Sequence, residues 1–215
     1  MEKKYKLTEE TINVNGKTLY RIEALKDFSD VKQGEKGGFI EKEENLSQYG
    51  DCWAYDNAKI YGDAEVSDNV SIFDNAEVYD YAIVSGDARV HNNANVFGRA
   101  LVFDNAEVYG YAEVYGSAIV YDNAEVYDYA EVYDNAHVYD KAKVHGNTKI
   151  YGKAKVYHDA IVCDNAQVYG NVVVRGNAIV RGYAKVYGDA VVHGDAQLCG
   201  DTEVCGNVRV CDYTK

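Results

Sequence analysis

Every sixth residue from Ala54 to Val210 is aliphatic, with no insertion anywhere along that length. The series reads Ala54, Ile60, Val66, Ile72, Val78 and then only Val, Ile or Leu. Four residues after each comes a small side chain, Ala58, Ala64, Val70, Ala76 and onward to Thr202 and Val208. Two residues after each comes Gly or Asp, apart from Asn92 and His158. A fixed period of this strictness specifies a repeat architecture, whose units bury their apolar faces by stacking on each other.

The unit is aliphatic, Tyr, Gly/Asp, Asn/Asp, Ala, variable, as in Val78-Tyr79-Asp80-Tyr81-Ala82-Ile83. Side chains alternate across a strand, so in Glu77-Val78-Tyr79 the valine points in and its neighbours point out. Gly, Asp and Asn tolerate left-handed backbone angles, so the pair that follows turns the chain. Alanine then fits inside the corner. A six-residue period matches no helix, and the abundance of Val and Tyr suits strands.

Three units close a triangular coil of 18 residues, and a second regularity agrees. Tyr61, Tyr79, Phe97, Tyr115, Tyr133, Tyr151, Tyr169 and Tyr187 recur at intervals of 18 and stop at Cys205. The columns starting at Tyr55 and Ser67 carry no such unbroken run, so three distinguishable faces are expected. Opposite charges also meet at 18: Lys59/Glu77, Arg89/Glu107, Glu125/Lys143, Glu131/Lys149 and Lys185/Glu203. Such cross-strand neighbours attract, whereas Glu107/Glu125 and Glu113/Glu131 do not. The expectation is an all-β, three-sided parallel β-helix of about nine coils over residues 46–215.

Residues 1–45 lie outside the repeat. Thr11 to Val14, Asn15-Gly16 and Lys17 to Leu25 read as a β-hairpin with a tight turn. Lys26 to Gly38 reads as a loop. A solenoid end exposes strand edges and raw core, so this segment is expected to cap the first coil. Trp53, the only tryptophan, is expected to plug the same seam.

The hexapeptide signature resembles the left-handed parallel β-helix of hexapeptide-repeat proteins, and that resemblance implies the coil's handedness. A narrower resemblance lies in Asp27-Phe28-Ser29-Asp30-Val31-Lys32-Gln33-Gly34, Gly37-Gly38-Phe39-Ile40 and Asn45 to Asp56. These runs are similar to the start of YdcK-type bacterial and prophage proteins, which join a small N-terminal module to a β-helix. The family has no established activity; an acyltransferase role has been attached to it through the repeat. The resemblance therefore implies fold, and a phage or prophage origin, more than function.

The formal net charge of −13 argues against direct binding to a nucleic-acid backbone, which needs Lys and Arg. The chain opens with Met1-Glu2-Lys3-Lys4 and no apolar run, so no signal peptide is expected, no stretch is long enough for a membrane span, and the expected compartment is cytoplasmic. Five cysteines, 52, 163, 199, 205 and 211, are an odd set. The last three fall on different faces, so they are expected to remain reduced and to hold no metal.

No catalytic residue, metal ligand or cofactor is assigned. The acyltransferases of this repeat class set a histidine beside a protruding loop. Here His91, His137, His145, His158 and His193 are scattered over loop-free coils, with His137, near Tyr139 and Lys155, the best placed. The Asp104, Asp122 and Asp140 column is a weak candidate for Ca²⁺. Two features remain. The tyrosine ladder offers a recognition surface, unless its role is only cross-strand stacking. An apolar strip of Ile83, Leu101 and Ile119 beside Phe103 and Tyr121, echoed by Val173 and Val191, marks a subunit contact. The expected protein is a non-catalytic, protein-binding or structural module that forms a dimer or trimer. The alternatives are a hexapeptide acyltransferase, an acidic mimic of nucleic acid that inhibits a host enzyme and, more remotely, an ice-binding prism.

Overall fold

In the computed structural model, described for residues 3–211, the repeat closes into a three-sided parallel β-solenoid. Each side is a parallel sheet of strands mostly two residues long, and successive strands on one side lie 18 residues apart. The first sheet runs through Lys59–Ile60, Glu77–Val78 and onward to Glu203–Val204. The second starts at Trp53–Ala54 and ends at Gln197–Leu198; the third runs from Glu65–Val66 to Arg209–Cys211.

The interior is built from two kinds of stack, aliphatic and corner, repeated on each of the three sides. Val78, Val96, Val114 and Val132 meet in register on the first sheet, and the corner alanines from Ala58 to Ala190 are buried. Backbone N–H groups donate up the axis, for example from Tyr127 to Val144 O at 3.0 Å and from Glu125 to Ala142 O at 3.0 Å. Every coil therefore satisfies its neighbour, as a narrow core requires.

The corners show why Asp and Gly alternate. From Asp56 to Asp164, the Asp, Asn92 and His158 residues at this turn position have φ between +50° and +65°. This is the small left-handed well that Asp, Asn and His enter more readily than other side-chain residues. The aspartates do a second job: Asp74 Oδ2 accepts from Asn92 N at 3.0 Å, Asp140 Oδ2 from His158 N at 3.0 Å, and Asp164 Oδ2 from Gly182 N at 2.9 Å. Each such carboxylate caps an N–H of the next coil. The glycine corners open wider, Gly86 having φ +72°, where a Cβ would sit 2.7 Å from Asp104 N.

The N-terminal segment extends the solenoid instead of lying across it. Strands β1 (Tyr5–Val14) and β2 (Lys17–Ala24) form the antiparallel hairpin around Asn15-Gly16. Strand β3 (Lys36–Ile40) pairs antiparallel with β2 and parallel with Lys59–Ile60. The hairpin thus continues the first sheet, and Lys36–Gly38, expected in a loop, are strand. Gly37 and Gly38 permit it: a Cβ on either would fall 2.4 Å from a carbonyl oxygen of Ala54 or Ala58. Ile40 and Leu46 already fill the core of the first turn, 20 residues before their partners Ile60 and Val66. Counting β3, the first sheet stacks ten parallel strands, one more than expected. Tyr5, Ile22, Val31 and Trp53 seal the exposed end of the core.

Candidate interaction faces

Each face presents two outward columns, one on either side of the inward aliphatic residue. On the first face the expected ladder forms in full. Rings stack nearly parallel from Tyr61 through Tyr79, Phe97, Tyr115, Tyr133, Tyr151 and Tyr169 to Tyr187, with centroids 4.7–5.1 Å apart. The spacing is set by the strand separation, which suits offset aromatic stacking. Except for Tyr61, which is buried, these rings are half-buried, with one ring face against each neighbour. The most exposed tyrosines are Tyr49, Tyr81, Tyr111, Tyr129 and Tyr183; the last four sit at corners.

The expectation that the other faces lack ladders is corrected. On the second, Phe73, His91, Tyr109, Tyr127 and His145 stack at 4.5–5.0 Å, because imidazole serves as a rung as well as phenol. On the third, Phe103, Tyr121, Tyr139 and Tyr157 stack at 4.7–5.1 Å.

The second outward column locks the rungs. On the first face Tyr61 OH donates to Glu77 at 2.9 Å, Tyr115 OH to Glu131 at 3.2 Å and Tyr187 OH to Glu203 at 2.7 Å. Lys59–Glu77, Arg89–Glu107, Lys143–Glu125 and Lys149–Glu131 pair at 2.7–2.8 Å as expected. Lys185 and Glu203 are register neighbours without an ion pair among the described residues, and Glu203 accepts from Tyr187 instead. The adjacent Glu107 and Glu125 are each relieved by their own cation.

Burial, aided by neighbouring carboxylates, raises Tyr79, Tyr115 and Tyr133 above the ordinary range, and burial beside Tyr157 and Tyr121 raises Tyr139; Tyr79 and Tyr139 are pushed up to about 12. Because the folded values exceed the ordinary 10.0, the neutral phenols contribute their full stabilisation below pH 10. That contribution fades as the pH rises through 12. Phenolate absorbance and circular dichroism, followed together, should show Tyr79, Tyr115, Tyr133 and Tyr139 ionising late and in step with loss of β structure. Ionisation at the ordinary value, with the fold intact, would contradict this.

The apolar strip lies where the spacing placed it. On the third face Ile83, Leu101 and Ile119 are consecutive register partners, as are Val173 and Val191. Phe103 and Tyr121 stack beside the first group at 5.1 Å. Ile83 is 40% exposed and the others are half-buried.

His137 occupies the same column, between Ile119 and Lys155. Burial, and then the Lys155 ammonium, lower its pKa. Asp122 and Asp140 each accept from a backbone N–H of the next coil through Oδ2. No group of three or more His, Cys, Asp or Glu converges as metal ligands among the described residues. All five cysteines are free, Cys52 and Cys163 being buried. No helix is long and apolar enough to cross a membrane.

The fold and faces define a three-sided β-solenoid with aromatic ladders, a class that specifies shape before chemistry. Residues 166–182 match the family model described as the YdcK beta solenoid repeat. A curated protein of Escherichia coli (strain K12), described as "Uncharacterized acetyltransferase YdcK", is 48% identical over 42 residues. That match covers 20% of this chain and 13% of the relative's length. The resemblance to YdcK-type hexapeptide-repeat proteins is therefore shown, within those limits.

Proposed function

We propose that this protein is a non-catalytic solenoid that associates with itself through its third face and presents the tyrosine face to a protein partner. The observation that carries the reading is the composition of that third face. Its outward columns from Ile83 to Arg209 and from Ser85 to Cys211 contain no carboxylate, in a chain of net charge −13. Instead they hold Ile83, Leu101, Ile119, Phe103 and Tyr121, with Lys155, Arg175 and Arg209 further along. The stretch from Ile83 to Tyr121 carries no charge in either column, and flat uncharged apolar surface favours subunit contact. A dimer or trimer is the expected state, and a cytoplasmic location fits the free thiols.

Sedimentation velocity on the wild type and on a Leu101→Glu/Ile119→Glu variant tests the reading. The wild type is expected to sediment as a dimer or trimer and the variant as a folded monomer. A monomeric wild type, or an unchanged state in the variant, would overturn the proposal.

Acyl transfer is the second reading, motivated by the relative's printed description and by His137, whose lowered pKa keeps it neutral and able to accept a proton. General-base chemistry also needs a pocket that positions a substrate, and His137 lies on the face assigned above to subunit contact. A bound mass of coenzyme-A size in native mass spectrometry would favour this reading.

A further inference from the structure

Lys4 is fully buried beside Cys52, which is fully buried as well. The Lys4 Nζ lies 3.3 Å from Cys52 Sγ, 2.8 Å from Cys52 O and 3.2 Å from Gly50 O. Lysine is almost never fully buried without partners; here the amine also donates to Tyr49 O at 3.5 Å, so three carbonyls hold it in place with a thiol within reach. Both ends of the contact are held. Lys4 N donates to Gln48 Oε1 at 2.8 Å, and Leu25 N donates to Lys4 O at 2.8 Å. Cys52 N donates to Asp68 O at 2.8 Å.

Packing does not demand sulfur at this point. Cys52 stands in the small corner position of the repeat, one unit before Ala58 and two before Ala64. Alanine fills most later corners. Burial raises the Cys52 pKa and lowers that of Lys4, so each is biased towards its neutral form. A cavity of about 530 Å³, lined by Lys3, Lys4, Lys26, Phe28, Tyr49 and Asp51 among others, opens beside the lysine. Buried thiols are usually inert, so the oxidant at this site must be as small as dioxygen.

We propose that Lys4 and Cys52 are a site of reversible covalent modification, in which dioxygen joins them through one oxygen atom as an N–O–S bridge. The amine gives up one hydrogen and the thiol the other, so one N–H and one S–H bond break. One N–O and one O–S bond form. Dioxygen accepts four electrons, leaving one oxygen atom in the bridge and releasing the other as water with the two hydrogens. The bridge ties β1 covalently to the first coil, so its consequence is a cap that cannot open under oxidising conditions. A two-electron thiol reductant reverses it in stages.

The test is intact-mass and peptide-mass analysis of the full chain after exposure to air-saturated buffer, with and without dithiothreitol. The expected result is a gain of about 14 Da, one oxygen in and two hydrogens out, carried by a cross-linked peptide pair containing Lys4 and Cys52. Trypsin fails to cut after Lys4 in that species, and dithiothreitol restores both the mass and the cut. Cys52→Ala, which matches the other corners and retains the fold, and Lys4→Arg should each abolish the gain. An unchanged mass, or gains of about 16 or 32 Da confined to Cys52 with Lys4 still cleavable, would overturn the proposal.

Discussion

A single aspartate at the middle of the core, Val126→Asp, should destabilise the protein by at least about 4 kcal/mol in urea unfolding at pH 7. Val126 is fully buried, in register between Val108 and Val144. The core here is one side chain deep from each sheet, so a new carboxylate cannot turn away to water. The surrounding backbone donors already serve the next coil, Tyr127 N on Val144 O and Glu125 N on Ala142 O among them. The charge would have no partner, and an unpaired buried charge costs more than a lost contact. Burial would raise the new carboxyl's pKa above its unfolded value of about 3.9. The penalty should therefore be largest at neutral pH and shrink as the pH falls towards that value, below which the carboxyl is neutral in both states and the cost levels off. A solenoid is stabilised by interfaces between neighbouring repeats, so the break should also split one unfolding transition into two. A cost under about 1 kcal/mol, with one sharp transition, would mean that the coils are not coupled as described.

Trp53→Ala carries the next largest expected effect, a loss of about 3–5 kcal/mol concentrated at the cap. The indole is fully buried, with edge contacts to Tyr5 at 6.0 Å and to Phe28 at 5.3 Å. A Cβ on Gly37 would come within 2.6 Å of its ring, so β3 lies flat against it only because that residue is glycine. Removing the ring deletes a side chain that touches Tyr5 of β1, Phe28 and Gly37 of β3 together. Limited trypsin digestion should then cut within residues 3–45 much faster than in the repeats. Trp53→Phe should cost far less. The Trp53 Nε1 hydrogen is buried without an acceptor among the described residues, and an unmet donor costs about 1–3 kcal/mol. Phenylalanine loses area but sheds that penalty. Equal damage from both variants would contradict the role given to the ring.

The repeats were legible because local rules fix each position separately. Val126 must point inward, Asp128 must enter a left-handed turn and Ala130 must fit a corner. The ladder at Tyr61 followed from counting by 18. The ladder through His91 and His145 did not, because a count of phenol rings overlooks imidazole rungs. The capping role of Asp74 and Asp164 was also missed, since a carboxylate's reach to the next coil depends on the strand separation. Its trace is present all the same: several such aspartates, including Asp128 and Asp164, are followed 18 residues later by glycine. The N-terminal segment is the least legible part of the sequence. β3 takes its strand state from pairing with β2 and with Lys59–Ile60, which its own glycine-rich residues do not announce. Lys4 and Cys52 are 48 residues apart and belong to no period, so nothing in the sequence brings them together.

Hydroxyl-radical footprinting across a range of protein concentrations tests the central claim most directly, because it reports which side chains self-association covers. Ile83, Leu101, Phe103 and Tyr121 should lose reactivity as concentration rises, while the exposed corner tyrosines Tyr81 and Tyr183 keep theirs. Reactivity on the third face that is independent of concentration, or protection confined to the Tyr61–Tyr187 ladder, would contradict the assignment of that face to subunit contact.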